Sequence, residues 1–158
     1  MSSLPSLGPK GEGWVAIQFA LLGAIGLAAL AGPAWDGQAR SMTTVVGFAA
    51  AIAGLAMAML GLRDLGANLT PFPYPRDAAR LVETGIYARV RHPIYGGIVV
   101  GGLGWALATA SVVALLLDLL LFGFFVLKSR REEAWLTARF PDYPAYRRRT
   151  RALIPFLF

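Results

Sequence analysis

A chain of 158 residues that is 56% hydrophobic and 15% charged, with a mean hydropathy of +0.57, carries too much apolar sequence for a water-soluble globule. The absence of cysteine excludes disulfides, thiolate metal sites and cysteine nucleophiles, and the single histidine excludes a multi-histidine metal centre. The formal net charge of +6 does not indicate nucleic acid, because the basic residues are grouped beside the apolar runs, as is typical of a membrane protein.

Two continuous apolar runs open the chain, at residues 14–31 and 43–62, and each is long enough to cross a bilayer. Gly32-Pro33 ends the first run and Arg63-Asp64 ends the second. The tripeptide 29–31, Ala-Leu-Ala, resembles a signal-peptidase site. Lys10 is the only basic residue before the first run, so we expect this run to stay in the protein as a span.

The connection after the second run is rich in proline. Residues 66–75 contain three alternating prolines, which restrict the backbone and predict a stiff, extended loop. Residues 76–83 then predict a short interfacial helix, which Thr84-Gly85 would end.

The third apolar run, residues 93–127, is too long for one span, since its 35 residues would make about 52 Å of helix. The polar break Thr109-Ala110-Ser111 predicts a helical hairpin with spans at 94–108 and 112–127. Residues 128–139 are compatible with a continuation of the last helix outside the membrane, and Pro141 would end it.

These elements predict one all-α integral membrane domain over residues 1–158, with about four transmembrane helices and C-terminal helices in the cytoplasm. Of the 15 basic residues, five lie between the second and third runs and eight follow the last. An even number of spans puts both groups on one side, so we expect cytoplasmic termini. Small residues at four-residue spacing predict close helix packing at 20, 24 and 28, at 50, 54 and 58, and at 97 and 101.

The single histidine lies just before the third run, in a block rich in arginine and tyrosine. Pro93 suits a first helical turn, so the helix should begin directly after His92. The partial positive charge of that helix end, with Arg89 and Arg91 beside it, favours an anionic group such as a carboxylate. His92 suits either a structural cap or a ligand contact, and the ligand reading is favoured by its neighbours Tyr87 and Tyr95.

Three carboxylates are also candidates. Glu132 and Glu133 are adjacent on a helix and point about 100° apart, so we expect one of them to face a ligand. A carboxylate there suits two sugar hydroxyls or a cation, whereas pairing with Lys128 and Arg130 would make an ordinary solvated surface. Asp118 lies in the middle of the fourth span, where a charged residue is costly and usually faces the bundle interior.

Asp118 has several possible roles. Gln18 and Trp105 are its candidate partners within the bundle. The sequence leaves open whether Asp118 serves packing, a contact between protomers, a polar cavity or catalysis.

The order and spacing of these blocks resemble the isoprenylcysteine carboxyl methyltransferase family, which has the phospholipid N-methyltransferases as relatives. The first block is residues 81–87 together with Arg-His-Pro-Ile-Tyr at 91–95. A helical hairpin follows, then Glu132-Glu133, and the resemblance continues with Leu136, Phe140, Tyr143, Tyr146 and Pro155. It covers about 66–155, more than half of the chain.

The resemblance implies a membrane methyltransferase with S-adenosylmethionine as donor, held in a cytosol-facing pocket within residues 85–155. The residues it implies for the donor are Tyr87, Arg91, His92, Pro93, Tyr95, Glu132 and Glu133, with a glutamate on the ribose. The acceptor would be a lipophilic molecule or a lipid-modified group that enters from the membrane. A carboxylate acceptor needs no general base; an amine or thiol must lose a proton, for which Asp118, Glu132 and Glu133 are candidates.

Two other functions remain open from the sequence. A membrane reductase of the sterol-reductase type would bind a nicotinamide dinucleotide in a similar C-terminal region. A non-enzymatic membrane bundle would use Asp118 to mark a polar path.

Overall fold

The computed structural model describes residues 4–28, 30, 34–74 and 79–155, and these form helices without any β-strand. The helices are α1 (Glu12–Ala28), α2 (Gly37–Leu65), α3 (Pro93–Ala108), α4 (Val112–Arg139) and α5 (Tyr143–Arg149). Single 3-10 turns occur at Gly66–Asn68 and Gly85–Ala88. The predicted all-helical class is therefore confirmed in the described part of the chain.

Two of these helices, α2 and α4, have the length and apolar composition needed to cross a membrane. The other two apolar helices, α1 and α3, have 17 and 16 residues, about 24 to 26 Å of helix at 1.5 Å per residue. α2 begins at residue 37 and so extends six residues before the predicted start at 43. The polar residues before the apolar run are therefore helical as well, and hydropathy alone does not predict this.

The predicted interfacial helix is wrong over its described part. Residues 79–83 are not helical, and residues 75–78 lie outside the described residues. The Arg80 backbone N–H donates to Asn68 Oδ1 at 3.0 Å, a bond that holds this segment against the end of α2 instead of within a helix of its own.

α2 and α3 pack antiparallel at very close range, because glycines line the contact. Gly54 of α2 faces Gly97 of α3, and a Cβ placed on Gly54 would lie 2.5 Å from the Gly97 carbonyl oxygen. Gly47 and Gly61 lie seven residues before and after Gly54, about two helical turns away, and occupy the same buried face of α2. The close approach predicted from Gly54 and Gly97 is therefore present.

The turn between α3 and α4 lies at the predicted position. The backbone N–H of Ser111 donates to the Ala106 carbonyl at 3.0 Å and that of Ala110 donates to Leu107 at 3.2 Å. Ala110 has a φ of +52°, a left-handed conformation that usually requires glycine at a helix end. The Ser111 hydroxyl accepts from the N–H of Ala114, so one serine starts α4.

α1 packs against α4 and completes the core. The rings of Trp14 and Phe124 are 5.5 Å apart between centroids, and the Ser111 hydroxyl donates to the Ala28 carbonyl at 3.2 Å. The small residues at 20, 24 and 28 predict a close helix contact along this face of α1, but Ala20 is exposed. Bulky residues, not alanines, therefore make most of this interface.

The C-terminal segment returns to the start of α3. The backbone N–H of Arg91 donates to the Arg151 carbonyl and that of His92 to Ala152, both at 2.9 Å. In addition, the Tyr146 hydroxyl donates to the Tyr87 carbonyl at 2.8 Å. The residues around His92 are thereby fixed between α4, α5 and the chain end.

Candidate functional site

A cavity of about 350 Å³ lies at the end of the bundle where α2 and the apolar part of α4 finish. Its apolar wall comes from α2, from the proline-rich connection, from residues 81 and 82 and from the polar end of α4: Leu62, Leu65, Leu69, Phe72, Pro73, Leu81, Val82, Leu136 and Phe140. Its polar wall includes Gln18, Tyr87, Arg91, His92, Tyr95, Lys128, Glu132, Tyr143 and Tyr146. The predicted site residues Tyr87, Arg91, His92, Tyr95 and Glu132 therefore all line this cavity.

Glu132 and Tyr95 connect α4 to α3 at the polar wall. The Tyr95 hydroxyl donates to Glu132 Oε2 at 2.9 Å, and His92 Nδ1 is 3.7 Å from the same oxygen. The His92 and Tyr95 rings are parallel, with centroids 5.4 Å apart. The Glu132 side chain keeps 25% of its surface exposed, so it can still accept hydrogen bonds from a bound molecule.

Glu133 points away from the cavity into a cluster of cations. Its Oε1 is 2.7 Å from Arg91 Nε and 3.3 Å from His92 Nε2, while its Oε2 is 3.1 Å from Arg147 Nε. Only 6% of the Glu133 side chain is exposed. The two glutamates therefore differ in environment as their helical positions predict: Glu132 lines the cavity, whereas Glu133 forms ion pairs outside it. Neither is an ordinary solvated surface residue.

Arg91 is also occupied by protein groups. Besides Glu133, its guanidinium donates to the Arg147 carbonyl at 3.1 Å and to the Thr150 carbonyl at 2.5 Å. Arg89 is exposed. The carboxylate expected at the start of α3 is therefore supplied from within the protein, by Glu133. The side chain of His92 makes no cap hydrogen bond to α3, so its structural contact is with the glutamates.

The sequence did not single out Lys128 and Gln18 as site residues, yet both line the cavity. Lys128 is 1% exposed and its ammonium donates to Gln18 Oε1. Its Nζ lies 4.9 Å from the centre of the Tyr95 ring. The spacing of Lys128 and Glu132 suggested a surface pair, and the only available signal of burial was that Lys128 directly follows an apolar run.

Three buried tyrosines are further features of the site, and all three line the cavity. Burial raises the pKa of Tyr87, and the charge of Glu132 adds to this. Burial likewise raises the pKa of Tyr143 and of Tyr146. All three phenols are therefore neutral donors at physiological pH. The Tyr143 hydroxyl has no hydrogen-bond partner among the described residues.

Two other predicted site residues lie outside the cavity lining. Pro93 is buried at the first turn of α3 and Asp118 is buried near the N-terminal end of α4. Asp118 Oδ1 faces Gly102 and has no hydrogen-bond partner among the described residues. Of its two candidate partners, Gln18 bonds to Lys128 instead, and Trp105 is 42% exposed.

The family model described as phospholipid methyltransferase matches residues 42–142. A protein-S-isoprenylcysteine O-methyltransferase from Schizosaccharomyces pombe is 40% identical over 79 residues, which are 49% of this chain and 34% of that protein. The nickel-cobalt-cadmium resistance protein NccN from Alcaligenes xylosoxydans xylosoxydans is 36% identical over 83 residues, 52% of this chain and 39% of that protein. The matches thus cover well under half of either relative, and they confirm the predicted resemblance.

Proposed function

The chain belongs to the phospholipid methyltransferase family, and on that premise we propose that it is an integral-membrane, S-adenosylmethionine-dependent methyltransferase acting on a lipophilic acceptor. The observation that carries this proposal is the Tyr95–Glu132 hydrogen bond of 2.9 Å at the cavity wall. It joins two residues that are 37 positions apart in the sequence, one on α3 and one on α4, and it leaves the Glu132 carboxylate facing the cavity.

The residues present fit such a donor. The volume of about 350 Å³ lies within the usual range for small-molecule sites, roughly 300 to 1,000 Å³. Glu132 offers carboxylate oxygens to two neighbouring hydroxyls of a ribose, and the apolar wall offers Phe72 and Leu136 to a purine ring. Tyr143 offers a donor hydroxyl that has no described protein partner.

When bound, S-adenosylmethionine supplies an electrophilic methyl group. The residues of this cavity then act by holding the two reactants in line, since alignment can lower the activation barrier by about 7 to 11 kcal/mol. Glu132, held by Tyr95, fixes orientation, and the proline-rich connection at 69–73 shields the cavity from water. With a carboxylate acceptor no proton has to move. With an amine or thiol acceptor, Glu132 is the carboxylate positioned to accept the proton.

We further propose four spans, made by α1, α2, α3 and α4 up to residue 127, with both termini and the cavity on the cytoplasmic side. The support is the placement of charge: the basic groups follow α2 and the apolar part of α4, at the cavity end of the bundle. Large apolar side chains stay exposed along the outer faces of two helices, as expected for contact with lipid: Val45, Phe48, Ile52 and Leu55 on α2, and Leu116, Leu119 and Leu120 on α4.

The acceptor should be lipophilic and should reach the cavity from the bilayer. The yeast relative is named for a prenylated cysteine acceptor, and an apolar wall beside a polar one suits an amphipathic molecule of that kind. Leu62 and Leu65 line the cavity at the end of α2, and this apolar lining supports entry of a hydrocarbon chain from the side of α2.

The test is calorimetric titration of the detergent-purified protein with S-adenosylhomocysteine, with a nicotinamide dinucleotide as the contrasting ligand. Wild type should bind the first in the micromolar range and not the second. Glu132→Gln should weaken binding, whereas Glu12→Gln, at the exposed start of α1, should not. A folded wild type that binds only the dinucleotide would favour a reductase and overturn the proposal.

A further inference from the structure

Lys128 is a buried cation that faces the cavity. It is the first residue after the apolar part of α4, and only 1% of it is exposed. A lysine at such a boundary usually extends its ammonium into water. Here the ammonium instead turns inward, donating to Gln18 Oε1 of α1 and lying over the Tyr95 ring of α3.

No carboxylate forms a close ion pair with this ammonium in the part of the chain that the structure describes, although the charge of Glu132, one turn further along α4, acts on it from a longer distance. Glu133 is engaged by two arginines and His92, whereas Glu132 accepts from the Tyr95 hydroxyl, lies near the His92 ring and keeps part of its surface open to the cavity. An ammonium has three N–H donors, and Gln18 takes one of them.

Burial of a charge without a paired opposite charge is costly. Met or Leu would fill the same space between α1 and α3 without that cost. The lysine is therefore best explained by a partner that is absent from the polypeptide. The partner must be an anion, it must fit in the cavity, and it must reach the end that Gln18 and Tyr95 form.

We propose that Lys128 binds the carboxylate of a ligand in this cavity, with Gln18 holding its ammonium in place. The inference rests on the proposed function and adds a binding role for one residue. The carboxylate comes either from the amino-acid part of the methyl donor or from the acceptor. Arg91, the cation expected in this role from the sequence, is satisfied by Glu133 and by backbone carbonyls.

The first arm of the test asks about the donor. Wild type and Lys128→Met are titrated with S-adenosylhomocysteine, which has the carboxylate, and with 5′-methylthioadenosine, which lacks it. If the donor supplies the carboxylate, Lys128→Met lowers the affinity for S-adenosylhomocysteine about 10- to 100-fold, as expected for one hydrogen bond to a charged group. The affinity for 5′-methylthioadenosine stays unchanged. Lys128→Arg should restore part of the loss.

The second arm asks about the acceptor. An S-farnesylcysteine derivative with a free carboxylate and its carboxamide are compared for binding. If the acceptor supplies the carboxylate, wild type prefers the acid by about 10-fold or more and Lys128→Met binds both equally. Lys10→Met removes the only other lysine of the chain, at an exposed position, and serves as the matched charge control.

A protein that binds S-adenosylhomocysteine while Lys128→Met changes none of these four affinities would overturn the role of Lys128 and leave the methyltransferase proposal standing. A wild type that binds no S-adenosylhomocysteine overturns both. Lys128→Met should fold, because it replaces an unpaired buried charge with an apolar side chain of similar length. If it does not, Lys128→Gln provides the same comparison.

Discussion

Arg91 Nε lies 2.7 Å from Glu133 Oε1, and this ion pair joins the start of α3 to the polar end of α4 across 42 positions of sequence. The same guanidinium donates to the carbonyl of Arg147 in α5. One side chain therefore joins the start of α3, the polar end of α4 and α5, and the cavity depends on an ion pair whose carboxylate, Glu133, is not part of the cavity lining.

Glu133→Ala should destabilise the protein. The change leaves Arg91 without its carboxylate in a buried position, and loss of one partner from a buried pair costs about 3 to 5 kcal/mol. The midpoint of thermal unfolding in detergent, followed by circular dichroism, should fall well below that of wild type. Glu132→Ala is the matched comparison and should lower the midpoint less, because Glu132 is partly exposed and its loss removes the Tyr95 hydrogen bond but no ion pair with arginine. Equal midpoints for the two variants would contradict the assignment.

Glu132→Gln should show the opposite behaviour, with stability kept and ligand affinity lost. The amide still accepts from the Tyr95 hydroxyl, but it lacks the charge that strengthens hydrogen bonds to ribose hydroxyls. We expect S-adenosylhomocysteine affinity to fall about 10-fold, the effect of one weakened charged hydrogen bond. Calorimetric titration measures it, and an affinity equal to that of wild type would remove Glu132 from the site.

The four apolar helices and the hairpin were predictable, because hydropathy and the polar break at 109–111 mark them directly. The two glutamates were separable in principle by their angular offset on α4, and the structure gives them different environments. The partner of each was not predictable. Arg91 was assigned to an external anion, since sequence spacing does not show that the C-terminal segment folds back beside it.

The burial of Lys128 was hidden for a related reason. Its spacing to Glu132 is typical of a surface pair, and only the packing of α1 on α4 places Gln18 beside the ammonium. The shape of the 79–83 segment also depends on a distant group, the Asn68 side chain. Local sequence patterns thus predict the helices, while contacts between distant segments determine the site.

Gly97→Ala and Gly101→Ala should differ in their effect on stability, although both glycines lie on α3 four residues apart. A Cβ on Gly97 would lie 2.6 Å from the Gly54 carbonyl oxygen of α2, whereas a Cβ on Gly101 meets nothing within 4 Å. Gly97→Ala should therefore force α2 and α3 apart at a cost of about 1 to 3 kcal/mol. Gly101→Ala should be neutral or stabilising. Thermal unfolding of both variants checks this, and equal losses would contradict the packing.

Tyr143→Phe should lower ligand affinity without lowering stability. The Tyr143 hydroxyl is buried at the cavity and has no partner among the described residues, so its removal breaks no described hydrogen bond. Because burial raises the pKa of this phenol, it is a neutral donor. Its loss should lower the affinity for S-adenosylhomocysteine about 5- to 10-fold. Tyr74→Phe, outside the cavity lining and partly exposed, is the control. An unchanged affinity for Tyr143→Phe would mean that the hydroxyl does not contact the ligand.

Asp118→Asn separates the methyltransferase from a bundle with a polar path through its centre. Asp118 is 5% exposed, faces Gly102 and is not part of the cavity lining, so the change should leave S-adenosylhomocysteine affinity within about twofold of wild type. Transfer of a radiolabelled methyl group to an S-farnesylcysteine derivative should also continue. A bundle that works through Asp118 predicts the reverse, with function lost in Asp118→Asn and kept in His92→Ala and Glu132→Ala. The three variants measured together decide between the two, because each function depends on a different end of α4.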